Sequence, residues 1–309
     1  MHRNIVMHRN IFVRVPDESC WAVILAGGEG ARLRSFTRAI AGDERPKQFC
    51  AVIGDETLLQ QTIRRVGRLV PPERTKVVLT RSHEQFFTDM EASAIVQPEN
   101  RGTAPAILYS LLTIANGDPS AKAALFPADH HFSDDEAFME HVAAAFEAVT
   151  EQPDLIILLG IVPTGPEVDY GWIQPGEPVC GVLDGALFRV QRFWEKPAID
   201  LGKQLLLQGC LWNTFVMVGA VRKLLGLVRS TVPDLYNQFE AIQPAIGTLA
   251  EGPAMREIYT RLSATDFSRD VLSARPRALT VLPVQGASWV DMGTADRVLA
   301  VLSSQQLRA

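Results

Sequence analysis

The chain has 309 residues, 47% hydrophobic and 21% charged, enough to bury a full core in one large domain or two ordinary ones. Its 30 basic and 35 acidic side chains leave a net charge of -5, which argues against nucleic-acid or anionic-membrane partners and makes any anion site local. Cys20, Cys50, Cys180 and Cys210 lie too far apart for a zinc or disulfide framework and read as reduced thiols of a cytoplasmic protein.

The N-terminus carries an imperfect duplication, MHRNIV then MHRNIF, without the apolar core of a signal peptide. Residues 1–19 are expected to form a poorly ordered leader. WAVILA (21–26) is a continuous apolar run stopped by Gly27 and Gly28, the pattern of a parallel strand buried on both faces. KVVLT (76–80), SAIVQ (93–97), AALFPAD (123–129) and DLIILLG (154–160) repeat that pattern. Helical spacing fills the gaps over 58–66, 104–114 and 138–149, so the first half predicts an α/β domain with a mostly parallel sheet. Beyond residue 160 proline and glycine become dense, and a hairpin is expected. A strand over 188–194, helices over 201–208, 221–227 and 235–242, short strands over 279–284 and 288–291, and a closing helix over 295–302 follow. No apolar run approaches the roughly 20 residues of a membrane span. No linker composition divides the chain, so 20–309 is expected to be one domain. Its first half would form the nucleotide-binding core and its second half the other side of a cleft.

The stretch ILAGGEGARLRSFTR (24–38) ends a strand in a glycine-rich turn and follows it with arginines. It lacks the G-x-x-x-x-G-K-[ST] of a P-loop, and Leu33 stands where the dinucleotide fingerprint needs its third glycine. Glycines after a strand let backbone N–H groups approach an anion, and Arg32 can grip it bidentately. Lys47 brings a second cation from the segment RPKQF (45–49). Taken singly, Arg32 also reads as a solvated helix-start arginine and Lys47 as a surface lysine.

Together, the ordered motifs resemble the sugar-1-phosphate nucleotidyltransferases, most closely the mannose-1-phosphate guanylyltransferases. LAGGEGARL (25–33) matches L-A-G-G-x-G-T-R-L, RPKQF matches P-K-Q-F, and QPENRGTAPAI (97–107) is similar to E-P-x-x-R-N-T-A-P-A-I. PADHH (127–131), GIVPTGPEVDYGWI (160–173), FWEKP (193–197), LWNTF (211–215) and WVDMGT (289–294) continue the match in register. The resemblance implies a Rossmann-like three-layer α/β/α sandwich with a mixed, mostly parallel sheet. It implies the reaction of a sugar 1-phosphate with an NTP to give NDP-sugar and pyrophosphate, with Mg²⁺. GTP and mannose 1-phosphate are the implied pair.

It also implies roles for individual residues. Ala26, Gly27, Gly28, Gly30, Arg32 and Lys47 would hold the nucleotide's phosphates, and Gln97, Arg101 and Thr103 its base and ribose. Asp129 and Asp291 would ligate the metal. Lys196 would grip the sugar phosphate, with Glu195, Gly171 and Asn213 in the sugar pocket. Arg32, Lys47 and Lys196 would carry the catalysis. A phosphate monoester is largely dianionic at neutral pH, its second pKa being about 6, so the nucleophile needs no general base. Positioning and charge neutralisation then bear the load. The adjacent His130 and His131 are explained by motif position or surface placement rather than as a metal pair.

Several positions depart from the family. Arg34-Ser35-Phe36-Thr37 replaces W-P-L-S, AIAGDE (39–44) lengthens the loop before Pro46, and Gly102 replaces asparagine. Phe215 replaces glycine, and Phe267-Ser268-Arg269-Asp270 replaces I-S-I-D. The chain also stops soon after WVDMGT, so no C-terminal β-helix or isomerase domain is expected. No nucleic-acid or membrane partner is expected, and a homodimer is left open. The alternatives are another base or sugar, a nucleotide-sugar-binding regulatory protein without turnover, and, most distantly, a dehydrogenase.

Overall fold

The apolar run after Ser19 forms β1 (Cys20–Leu25), which is parallel to β2 (Thr75–Thr80) on one side and β4 (Lys122–Pro127) on the other. A computed structural model of the chain describes residues 18–306 apart from 89 and 91, so most of the expected leader lies outside the described residues. β3 (Ser93–Gln97) continues the parallel half outward from β2. Beyond β4 the sheet becomes mixed. β9 (Leu211–Ala220) runs antiparallel between β4 and β6 (Ile156–Ile161), followed by β10 (Thr280–Val284), β8 (Phe188–Glu195) and β7 (Gly171–Pro178). The nine strands lie in the order β3-β2-β1-β4-β9-β6-β10-β8-β7, and β7 curls back to pair with the first residues of β9.

Strand periodicity divides the core into two layers. Ile24, Val77, Phe126 and Ile157 face one cluster, which packs on α2 (Leu58–Val66) and α4 (Asp135–Glu151). Their neighbours Val23, Val78, Leu125 and Leu158 face the other, beneath α3 (Thr103–Gly117), α6 (Val221–Thr231), α7 (Pro233–Ile242) and α8 (Glu251–Tyr259). This is the expected three-layer α/β/α sandwich. α3 is apolar around most of its circumference and is almost wholly enclosed; Leu111→Ala in it should cost about 2–5 kcal/mol. Thr57 and Gln60 close a reciprocal capping box at the start of α2, and Asp134 accepts from Glu136 N and Ala137 N to start α4.

Several elements differ from the sequence expectation: the helix α8 and the short strand β5 (His131–Phe132) were not expected, and two further differences bear on the cleft. Residues 34–41, expected to belong to a lengthened loop, form the helix α1, which ends at Gly42 in a left-handed cap (φ +77°). β9, which was not expected, is a central strand. Between Met217, paired with Leu158, and Asn213, paired with Gly160, the residues Thr214, Phe215 and Val216 bulge opposite Leu159. Thr214 Oγ1 donates to Leu159 O (2.7 Å), replacing a ladder bond that the bulge removes. α5 (Ile199–Leu207) follows β8, and α9 (Ala295–Gln306) follows the small antiparallel pair β5 (His131–Phe132) and β11 (Trp289–Val290).

Candidate active site

A cleft of about 440 Å³ opens beyond the carboxyl ends of β1, β3 and β4 and is closed on its far side by β7, β8 and β9. Gly27, Gly28 and Gly30 form one wall. Gly30 has φ +62°, and a Cβ there would stand 3.2 Å from Lys47 N, so both conformation and packing require glycine. The buried Gln48 side chain donates to Ala26 O and Gly28 O (2.8 Å each), and Asn100 Nδ2 donates to Gly27 O (3.3 Å). Three carbonyls of the turn are thus tied to side chains. Gln48 lay within the P-K-Q-F motif, but sequence reasoning gave it no role.

The nucleotide residues do not all meet in the cleft. Gln97 lines it, with Oε1 accepting from Tyr259 Oη (2.7 Å), and so does Thr103, whose Oγ1 accepts from Phe267 N (2.8 Å). Ala26 lies buried beneath the glycine turn rather than in the lining. Arg101 also stands outside the lining; its Nη2 donates to Glu99 (2.8 Å), and its Nε is buried without a hydrogen-bond partner among the described residues. Arg32 is the largest displacement from expectation. Its side chain is 68% exposed outside the lining, 3.9 Å from Asp169, which does line the cleft.

The charged floor is shared by three segments. Lys47 Nζ pairs with Asp129 Oδ2 (2.7 Å) and donates to Met292 O (3.0 Å) and Asp291 O (3.3 Å). Lys47 is thus neither solvated nor free, but held in a set of oxygens. Burial acts to raise the Asp129 carboxyl, but the Lys47 ammonium and His130 overcome it and hold the group below the usual carboxylate value. Trp289 Nε1 donates to His130 Nδ1 (3.1 Å), and burial lowers the His130 pKa against the pull of Asp129 and Asp291. Of the two readings offered for His130, motif position and surface placement, its place in the cleft wall favours the first. Beneath this loop the buried Arg65 pairs with Asp135 (2.5 Å) and donates to His130 O (3.4 Å).

Asp291 also lines the cleft. Its Oδ1 accepts from Gly293 N and Arg297 Nη1 (2.9 Å each) and from Tyr170 Oη (3.4 Å). Arg297 joins Glu167 (2.5 Å) and Asp169 (3.5 Å) to the same group and lies over the Tyr170 ring at 4.4 Å. Sequence reasoning missed Arg297, which sits in a helix of otherwise ordinary composition. Among the described residues no cluster of three or more His, Cys, Asp or Glu side chains forms a protein cage for a metal. Two cleft-facing carboxylates do suit Mg²⁺, which takes few protein oxygens and completes its shell with water and phosphate. The Lys47 ammonium, seated among three oxygens, pairs with one of these carboxylates and with the backbone carbonyl of the other residue.

The sugar-pocket candidates converge by strand register. Gly171 pairs with Glu195 on β8 and with Asn213 on β9. A Cβ on Gly171 would meet Glu195 Oε2 at 3.0 Å and Asn213 Cβ at 3.2 Å, so glycine allows both side chains to close over it. Burial raises the Glu195 carboxyl, opposed by Lys196, whose Nζ lies 3.5 Å away. Lys196 itself adopts φ +49° and lines the cleft.

Residues 21–306 match the family model described as nucleotidyl transferase, and the chain belongs to that family. Its relatives include a mannose-1-phosphate guanylyltransferase of Escherichia coli (strain K12), 28% identical over 89% of this chain and 58% of its own length. Another is the alginate biosynthesis protein AlgA of Pseudomonas syringae pv. tomato, 28% identical over 88% of this chain and 56% of its own. The chain thus spans somewhat over half the length of these relatives. A crystal structure from Thermus thermophilus, described as mannose-1-phosphate geranyltransferase, superposes with a TM-score of 0.78 at 30% identity, covering 91% of this chain and 79% of that one. A UDP-glucose pyrophosphorylase structure, 12% identical with a TM-score of 0.58 over 93% of this chain and 98% of that one, shares the fold.

Proposed function

We propose that residues 20–309 form a single catalytic domain that joins a sugar 1-phosphate to a nucleoside triphosphate, releasing pyrophosphate, with GTP and mannose 1-phosphate as the pair. One observation carries this. A single cleft holds a glycine turn at one side, Gly171, Glu195 and Asn213 at the other, and Asp129, Asp291 and Lys47 between them. Relatives named mannose-1-phosphate guanylyltransferase support the choice of base and sugar.

In the forward direction an oxygen of the sugar phosphate attacks the α-phosphorus. The bond from that phosphorus to the oxygen bridging to the β-phosphate breaks, and the electron pair leaves with pyrophosphate. The backbone N–H groups of the glycine turn bind the triphosphate, with Gln48 and Asn100 holding the turn's carbonyls. Gln97 and Thr103, which line the cleft, would read the nucleoside. Arg32 reaches the phosphates from the cleft mouth, and Lys196 holds the sugar phosphate. Asp129 and Asp291 would hold Mg²⁺, which neutralises phosphate charge when bound. Lys47 balances Asp129 until phosphates arrive and then serves them. Cytoplasmic NTP and sugar phosphate pools fit this chemistry.

The test is pyrophosphate release from each NTP with a panel of sugar 1-phosphates and Mg²⁺. Release with GTP and mannose 1-phosphate, abolished by Asp129→Ala, is the expected result. No release with any pair refutes the activity, and release with UTP or dTTP but not GTP refutes the base assignment alone.

A further inference from the structure

Phe215 combines three features that core packing alone does not require. It is a bulky residue in the left-handed region, with φ +63°. It stands in the β9 bulge, where Thr214, Phe215 and Val216 oppose Leu159 alone. It lines the cleft and is only partly buried. A bulge beside a cleft re-aims a side chain, and a strained conformation persists only where its surroundings fix it. Here they do. Phe215 N donates to Asn213 Oδ1 (3.1 Å), Thr214 Oγ1 accepts from Val216 N (3.2 Å), and the Phe215 ring meets the fully buried Phe267 edge-on at 6.3 Å between centroids.

On its inner side the ring packs against the apolar cluster through Phe267, and the cleft that it also lines carries polar groups. Asn213 is two residues away, Asp266 and Ser268 flank the Phe267 that the ring touches, and Glu195, which also lines the cleft, interacts with both. Carboxylates, an amide and a hydroxyl in one cleft with an aromatic ring suit a ligand with a hydroxyl rim and an apolar C–H face, which is a pyranose. A nucleobase has π faces but no comparable rim of hydroxyls. We propose that Phe215 is a sugar platform, its ring taking the apolar face of the hexose while Glu195 and Asn213 take hydroxyls. This rests on the sugar 1-phosphate activity proposed above and adds a specificity-determining residue to it.

Phe215→Gly removes the ring and relieves the left-handed conformation, so the variant can fold; a thermal melt establishes this, and Phe215→Tyr is the conservative control. In Phe215→Gly, KM for mannose 1-phosphate should rise about 3- to 10-fold, the scale of one aromatic contact, with KM for the NTP unchanged. Phe215→Tyr should restore the lower value. A rise in KM for the NTP instead would mean that the ring stacks on the base and would overturn the proposal. Unchanged KM for both substrates would reduce Phe215 to packing and also overturn it. Should the wild-type chain release no pyrophosphate with any pair, the activity itself fails, and calorimetric binding of mannose 1-phosphate decides the platform separately. Weaker binding by Phe215→Gly than by wild type then supports it; equal binding, or none by either protein, overturns it.

Discussion

Lys47→Met replaces an ammonium held by oxygens with an apolar chain of similar length. At 2.7 Å from Asp129 Oδ2, the gross attraction lost is about 6 kcal/mol at an effective dielectric of about 20. Desolvation of both ions offsets much of this, and removing one partner of a fully buried pair typically costs about 3–5 kcal/mol. The Lys47 and Asp129 side chains retain 13% and 25% exposure, so water screens the pair and the loss should be about 2–3 kcal/mol. That corresponds to a fall in Tm of about 3–5 °C for a chain of this size.

The pH dependence has a definite sign. Lys47 helps hold the Asp129 carboxyl below its ordinary value of 3.8, so its stabilisation is present above that value and is lost as pH falls through the folded-state value. In Lys47→Met the carboxyl rises and the acid limb of the stability curve moves to higher pH. The variant also frees Asp129 for a divalent cation, so Mn²⁺ affinity without nucleotide should rise by up to about 30-fold, the equivalent of about 2 kcal/mol. Calorimetric Mn²⁺ titration and thermal melts at several pH values measure both effects. A stability loss with unchanged or weaker Mn²⁺ binding would refute the idea that the ammonium occupies the cation's place.

Three further outcomes follow from the same geometry. Gly102→Asn should destabilise the chain by more than about 2 kcal/mol in urea unfolding, because φ is +89° and a Cβ would stand 2.3 Å from Thr265 O; wild-type stability would contradict the observed loop packing. Ellman's reagent should label one thiol of the native protein, the exposed Cys180, and four after denaturation, since Cys20, Cys50 and Cys210 are buried and burial pushes Cys50 and Cys210 up to about 11; fast labelling of a second thiol would count against this. Burial holds Glu195 above its ordinary 4.5, so wild-type affinity for sugar 1-phosphate should fall on acidification before an ordinary glutamate protonates. The ratio of wild-type to Glu195→Gln affinity isolates this from the phosphate's own titration, and a pH-independent ratio would oppose the role.

The sequence showed the parallel half of the sheet clearly because β1, β2, β3 and β4 are short apolar runs bounded by turn residues and separated by periodic helices. β9 was hidden for a physical reason. Enclosed between β4 and β6, it shows no polar alternation, and Ala220 passes into α6 at Val221 without a loop to mark the boundary. α1 was hidden because Leu33 supplies no side-chain cap and Thr37 alone is buried; its visible signal was Gly42 at the end. Most of the candidates taken from the motifs line the cleft, but motif matching could not separate Lys47 in the floor from Arg32, which stands outside the lining. That distinction depends on the long-range contacts of Lys47 with Asp129, Asp291 and Met292.

Backbone strain links the fold to the cleft more directly than composition does. Among the described non-glycine residues with left-handed φ, Lys196, Phe215 and Met292 each follow within two positions a residue that lines the cleft: Glu195, Asn213 and Asp291. A regular strand would send successive side chains to opposite faces; β8 ends at Glu195, β11 ends at Val290, and β9 is interrupted at Phe215 by its bulge before it continues. Each turn is fixed by a bond of its own. Lys196 N donates to Tyr170 O (3.2 Å), Phe215 N donates to Asn213 Oδ1 (3.1 Å), and Met292 O accepts from Lys47 (3.0 Å). Conformations costing about 1–3 kcal/mol apiece survive where such bonds over-determine them. The third bond uses the ammonium that also pairs with Asp129, so the β11 end of the cleft is held in shape by the same cation that balances its charge.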